Sequence, residues 1–255
     1  MKKNLRNILA VGLGLMTTVA FAQTWNADSR TRINMSGDND MNVTHQRATV
    51  GATWGGSDWG IHVSSDLNYM LGSSSEVGME IYEAYASTDL MGYASLTIGR
   101  QALSYGSGAL ISTRDWSANR TTWDGMTFGL NLDMADVTIG YANRNDDVNG
   151  DGLDYGSMHM NIGGEFSGWN VNFLYMTRTA AGEDAGDAAT GIDISGTVAG
   201  AGISASMNSD HEGDEMRVLG LTYAVNDDMS VHASQTTYGD DGGFDMAGTN
   251  MSGAD

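Results

Sequence analysis

Between residues 59 and 71 the chain alternates. Trp59, Ile61, Val63, Ser65, Leu67, Tyr69 and Leu71 share one parity, and Gly60, His62, Ser64, Asp66, Asn68 and Met70 the other. A period of two held over that length describes a β-strand with one apolar and one polar face. Shorter rows repeat it: Met126, Phe128, Leu130, Leu132; Val137, Ile139, Tyr141; Met158, Met160, Ile162; Trp169, Val171, Phe173, Tyr175; and Ile203, Ala205, Met207. Counted this way the chain predicts about 13 strands. No helical period of useful length follows residue 23.

The links between strands alternate in length. Short ones fall near 55–58, 89–92, 133–136, 164–168, 199–200 and 226–227, and long ones near 37–44, 72–78, 102–124, 145–154, 179–189 and 209–214. A meander with its tight turns at one end and its long loops at the other is the pattern of an outer-membrane barrel, and a soluble sandwich has no reason to segregate them. Strands of roughly 9–11 residues, tilted near 45°, cross a thin apolar band. Only helices and closed barrels satisfy every backbone group in lipid, and this chain offers no helix for the task. The predicted fold is therefore an all-β, antiparallel, up-and-down transmembrane β-barrel. Trp54, Trp59, Tyr69, Trp169, Tyr175 and Tyr223 lie near strand ends, where interfacial girdles form. With short turns on the periplasmic side, the first strand, near 30–35, and the last, near 229–238, both run outward. The tail after residue 238 reads as the start of another long loop, so the expectation is a barrel whose closing strands are missing, with two unpaired edges.

The ends and the charge refine this. Lys2, Lys3 and Arg6, an apolar run over 8–21 and the Ala20-Phe21-Ala22 exit read as a secretory signal peptide covering residues 1–22, with the barrel domain over 23–255. There is no cysteine, hence no disulfide framework. Removing three of the twelve cations with the signal leaves nine arginines against thirty-two acidic residues, a formal charge of −23. Such a surface repels nucleic acid, and the partners expected are outer-membrane lipid and lipopolysaccharide, with a sugar or small solute as permeant and the chain a monomer. With 35 glycines and no proline, the turns must be built from Gly, Asp and Asn.

Three of the arginines, Arg100, Arg114 and Arg120, gather around the longest link. Here Gly99-Arg100-Gln101-Ala102-Leu103-Ser104-Tyr105-Gly106 is followed by Asp115-Trp116, then by Arg120 ahead of Trp123-Asp124-Gly125. Over residues 83–125 this resembles the alginate-export family of outer-membrane β-barrel porins. Arg100, Gln101, Tyr105, Gly106, Asp115, Trp116, Arg120, Asp124 and Gly125 fall on the family's pattern. Ala109 stands where members often carry an arginine, and Arg120 is offset by one residue. The resemblance implies a large monomeric barrel with an arginine-lined lumen that passes acidic polysaccharide or other solutes. Physically, an inward-folded loop presenting Arg114 and Arg120 would place a positive constriction in a negative tube, and guanidinium forks bind carboxylates in bidentate fashion. The alternative is that they pair with Asp115 and Asp124 and hold the loop's shape. The pore residues expected are thus Arg100, Arg114, Arg120, Asp115, Asp124 and Tyr105. Arg100 shares parity with the lipid-side Leu96 and Ile98, so it must lie above the apolar band or be turned inward by a bulge at Gly99.

A second candidate is the segment Asp147 to Gly156. Asp147, Asn149 and Asp151 match the first half of a calcium loop, with the Leu153 carbonyl available and Asp154 able to replace the missing glutamate, since Met158 stands at position twelve. No cofactor other than calcium is called for. Glu183, Asp184, Asp187, Asp210, Glu212 and Asp214 are placed to meet lipopolysaccharide through divalent cations or simply to be solvated. His45, His62, His159, His211 and His232 are scattered, with no nucleophile motif or paired-ligand spacing, so an enzyme is not expected. The competing class is a secreted or surface β-rich calcium-binding protein.

Overall fold

The computed structural model describes residues 22–33, 44–72, 77–115, 120–145, 155–180, 187–226, 228–239 and 244. Among these described residues thirteen strands follow one another: β1 (Ala22–Ile33), β2 (Thr44–Gly55), β3 (Trp59–Leu71), β4 (Gly78–Leu90), β5 (Ala94–Gln101), β6 (Thr122–Leu132) and β7 (Ala135–Asn145), then β8 (Tyr155–Phe166), β9 (Trp169–Ala180), β10 (Ala189–Val198), β11 (Ala201–Ser209), β12 (Glu215–Asn226) and β13 (Met229–Tyr238). Each pairs antiparallel with its sequence neighbours in one sheet of order β1 to β13. Among the described residues β1 and β13 do not pair with each other, so the sheet is open.

The alternating rows mark the strands well, with one correction. The first strand begins at Ala22, not near residue 30, and is in register with β2 over its whole length. Its inward positions, Thr24, Asn26, Asp28, Arg30 and Arg32, are all polar, and its outward ones include Ala27, Ser29 and Thr31, so no apolar row announces it.

The tight turns explain the strict meander. Phe166 pairs with Trp169 and Val198 with Ala201, which leaves two-residue links. Both residues of each link have positive φ: 54° at Ser167 and 80° at Gly168, 51° at Ala199 and 82° at Gly200. That is type I′ geometry, whose twist matches that of the flanking strands, and glycine in the second place relieves the steric cost.

Register then assigns the faces. Cross-strand partners share a face, so the pairs Thr49–Asp66, Ser64–Glu83 and Gly140–His159 trace one polar wall. The other face carries Ile61, Val63, Ile98, Met126, Tyr141, Met158, Leu219 and Leu221, all exposed although apolar. Trp25 and Trp54 meet edge to face on this outer side, at 6.4 Å, beside the short β2–β3 turn. Phe166 and Trp169 flank another turn at the same end. The core lies on the inner side. There residues 102–115 and 120–121, of the link from β5 to β6, fold back onto the polar wall and bury Leu103, Ala109, Leu110 and Ile111 against Trp123, Ala142, Leu174, Met176, Ala189 and Met216, with Phe244 in the same cluster.

Candidate functional site

The β5–β6 link crosses the bore as a strap with two seats. The first is apolar. Leu110 and Ile111 are fully buried, which stabilises the seat by roughly 1.5–3 kcal/mol per side chain. Tyr105 N–H donates to the Ile111 carbonyl at 3.1 Å and Gly108 N–H to the Tyr105 carbonyl at 3.0 Å, closing the tip into a compact turn. The Tyr105 ring tilts against His159 of β8 at 5.4 Å. Burial pushes the Tyr105 hydroxyl up to about 12, against a smaller opposing effect from a hydrogen bond with Thr138. It is a neutral group at any ordinary pH.

The second seat is ionic. Arg120 donates through Nε to Asp66 Oδ2 at 2.9 Å and through Nη2 to Asp66 Oδ1 at 2.5 Å, a bidentate pair in the wall of β3. The two side chains are 10% and 4% exposed. Thr49 of β2 donates its hydroxyl to Asp66 at 2.6 Å and accepts from Arg120 at 3.0 Å, so three polar groups satisfy one another. The guanidinium carbon lies 3.1 Å from the centre of the Tyr82 ring. Tyr82 reaches that place because β4 carries a bulge opposite Ser64 and Ser65, which turns Tyr82 and Glu83 inward together. Burial opposes the charge on Arg120 most strongly. The Asp66 hydrogen bond, the neighbouring Tyr82 and the charges of Asp66 and Asp115 outweigh it and hold Arg120 above its ordinary value. Beside this cluster Arg30 and Arg47 both donate to the Asp115 backbone carbonyl, Arg47 at 3.2 Å. The Asp115 carboxylate, 3.7 Å from Arg120, stays mostly exposed.

Arg120, Asp115, Arg114 and Tyr105 thus lie on the strap inside the sheet. Arg114 sits in the left-handed region, with φ 50°, and its N–H donates to Ser112 Oγ at 3.3 Å. Arg100 and Asp124 are placed elsewhere. They are cross-strand partners on the outward parity, joined by a bidentate pair at 2.7 and 2.8 Å near the long-loop end of β5 and β6. Pairing runs unbroken through Gly99, so Arg100 is not turned inward by a bulge. Its charge sits near the strand end and is matched there by Asp124. Trp116 and the calcium candidates Asp147, Asn149, Asp151, Leu153 and Asp154 lie outside the described residues.

The ionic seat needs residues that the sequence pattern passed over: Arg30, Arg47, Thr49, Asp66 and Tyr82. Arg47 and Asp66 stand on the polar parity, which marks them as lumenal, but nothing local tells which charge across the bore they will meet. A further lumenal group joins Thr53, His62 and Glu83. His62 Nδ1 is 2.7 Å from the Thr53 hydroxyl, and Nε2 is 3.5 Å from Glu83. At the long-loop end His211 Nδ1 lies 2.7 Å from the Asp187 carbonyl, and Asp187 N–H donates back to the His211 carbonyl at 2.9 Å. Asp210 Oδ1 accepts from the N–H groups of Glu212 and Asp214, both at 2.9 Å.

No protein-family model matches the chain, and no curated protein matches it. Among solved structures it is similar to a triple mutant of the porin of Rhodobacter blastica, with a TM-score of 0.58 at 10% identity over 85% of this chain and 84% of that one. It is also similar to OccK11 (OpdR) of Pseudomonas aeruginosa, with a TM-score of 0.53 at 11% identity over 84% of this chain and 62% of that one. At this identity what is shared is architecture: the chain has the antiparallel, up-and-down sheet of a porin-type β-barrel.

Proposed function

We propose that the protein is an outer-membrane channel through which small anionic or neutral solutes, or polysaccharide, diffuse past the arginine-bearing strap. The observation that supports this is the division of faces. Apolar side chains such as Ile98 and Met126, each 50% exposed, line the face without cover, while the strap folds into the polar one. A dissolved protein would pack those rows into a dry interior, whereas hydrocarbon on the outside makes their exposure favourable. Catalysis has no part in this reading. The alginate-export reading is the finer form of the proposal. It rests on the motif residues over 83–125, with acidic sugars as the permeant and Arg114 and Arg120, next to Arg30 and Arg47, as the filter.

Planar-bilayer recording of the refolded chain tests the proposal. Chloride is expected to pass in preference to potassium, and Arg114→Ala combined with Arg120→Ala to lower that ratio several-fold. Cation preference in the unaltered protein, or a ratio unmoved in the double variant, would overturn the filter. Recovery of the protein in the soluble fraction would overturn the channel.

A further inference from the structure

Across the bore from the arginines, the wall changes character. Beneath the strap, along β7 to β13, a cavity of ≈ 930 Å³ is bounded by three carboxylates, Asp136, Glu165 and Asp193, and by a field of hydroxyls that includes Ser195, Ser204 and Ser206. No lysine, arginine or histidine is among the described residues that line it. Its volume is in the range of small-molecule sites. We propose that this cavity binds a neutral polyhydroxylated solute of di- or trisaccharide size. The proposal deepens the channel reading and rests on it, since the solute bound is one that the channel would pass.

Two cross-strand neighbours, Asn172 of β9 and Asp193 of β10, stand together in this wall. Asn172 Nδ2, a donor, and Asp193 Oδ1, an acceptor, are both buried without a hydrogen-bond partner, and both residues line the cavity. A buried polar group left unpaired is costly, so the pair marks a place where a ligand gains. A cation would satisfy only the acceptor and an anion only the donor. A hydroxyl does both at once, accepting from the amide and donating to the carboxylate. Gly106 of the strap packs directly against the pair, and only glycine fits there. A Cβ there would lie 1.9 Å from Asp193 Oδ2 and 2.7 Å from Asn172 Nδ2, and the φ of +57° suits glycine in any case. A solute in the cavity presents one hydroxyl to the pair, and the surrounding serines take its further hydroxyls.

The test is titration calorimetry of the full chain, refolded in detergent, with maltotriose as the neutral probe, spermidine as the cation and inorganic phosphate as the anion. Maltotriose is expected to bind, and Asn172→Ala combined with Asp193→Ala to weaken it at least tenfold. The same variant is expected to keep the chloride-to-potassium ratio in bilayers within twofold. Ser195→Leu, which fills the cavity, serves as the second variant, and a heat-dependent gel shift checks that each one folds. Maltotriose binding that is absent, or unaltered in a folded variant, would overturn the proposal. So would spermidine or phosphate binding more tightly than maltotriose and being lost in the same variants. A chain that binds maltotriose but carries no current would leave the site standing and defeat the channel reading.

Discussion

At the scale of single residues, Asp66 shows what the ionic seat demands. Its carboxylate is 4% exposed and relies on Arg120 and Thr49. Arg120→Ala strands that charge, and a destabilisation of about 3–5 kcal/mol is expected, read as a lowered urea midpoint for unfolding from vesicles. Asp66→Leu combined with Arg120→Met removes both charges and is expected to lie much closer to the parent, because the desolvation penalty disappears with them. His211 gives a pH dependence. A carbonyl can only accept, so Nδ1 must carry the proton donated to Asp187, and Nε2 is left as a buried lone pair without a partner. Burial, first of all, lowers its pKa from the ordinary 6.5, with the nearby Arg178 charge acting the same way. Since the folded value is the depressed one, the stability that His211 contributes is complete above about pH 6.5 and is lost as pH falls through the folded pKa. Cleavage of the β11–β12 link by a protease active across this range is therefore expected to accelerate below pH 6 and to be flat above pH 7. In His211→Asn the acceleration is expected to vanish.

At the scale of elements, the strap is the part most open to perturbation, because one of its two seats is built from a few apolar contacts. Leu110→Ala is expected to cost about 2–5 kcal/mol of local stability, since Leu110 has almost no exposed surface and packs over Gly191. Single-channel conductance should rise, and it should become noisier, while overall unfolding shifts less. Most strands were legible because one face is apolar and a period of two needs no tertiary knowledge; β1, with no apolar row, was placed too late in the chain. The strap's inner seat was much less so. Leu174 and Met176 alternate with the outward Phe173 and Tyr175, so Phe173-Leu174-Tyr175-Met176 is an unbroken apolar run in a strand that otherwise alternates. Such a run says that both faces are covered there, and with Trp123, Ala142 and Met216 it marks where a loop packs inside. Tyr82 was illegible for a different reason. Its inward direction comes from a bulge, which shifts parity with no signature in the residue types.

At the scale of the whole molecule, the proposed channel implies a depth-dependent tolerance for charge on the outer surface. Arg100 is accommodated on that surface near a strand end with Asp124 as partner, and Arg217 pairs with Glu215 at 2.6 Å at the corresponding end of β12. Ile98→Arg, two residues further toward the middle of β5 and without a matched acid, is expected to cost roughly 2–4 kcal/mol, measured as a loss of folding efficiency into vesicles. The same substitution in a dissolved protein would be nearly silent at a half-exposed position. The strap has one more effect at this scale. It is fastened to β1–β3 by Arg120 and Asp115, and to β8–β12 by its apolar tip, so it works as a tie-rod between opposite sides of a curved wall. The calibre of the passage is then governed by how many residues lie between those two fastenings as much as by how many strands form the circumference. Length changes in a single irregular segment are therefore a direct route by which such a passage acquires a new diameter while its rim stays as it was.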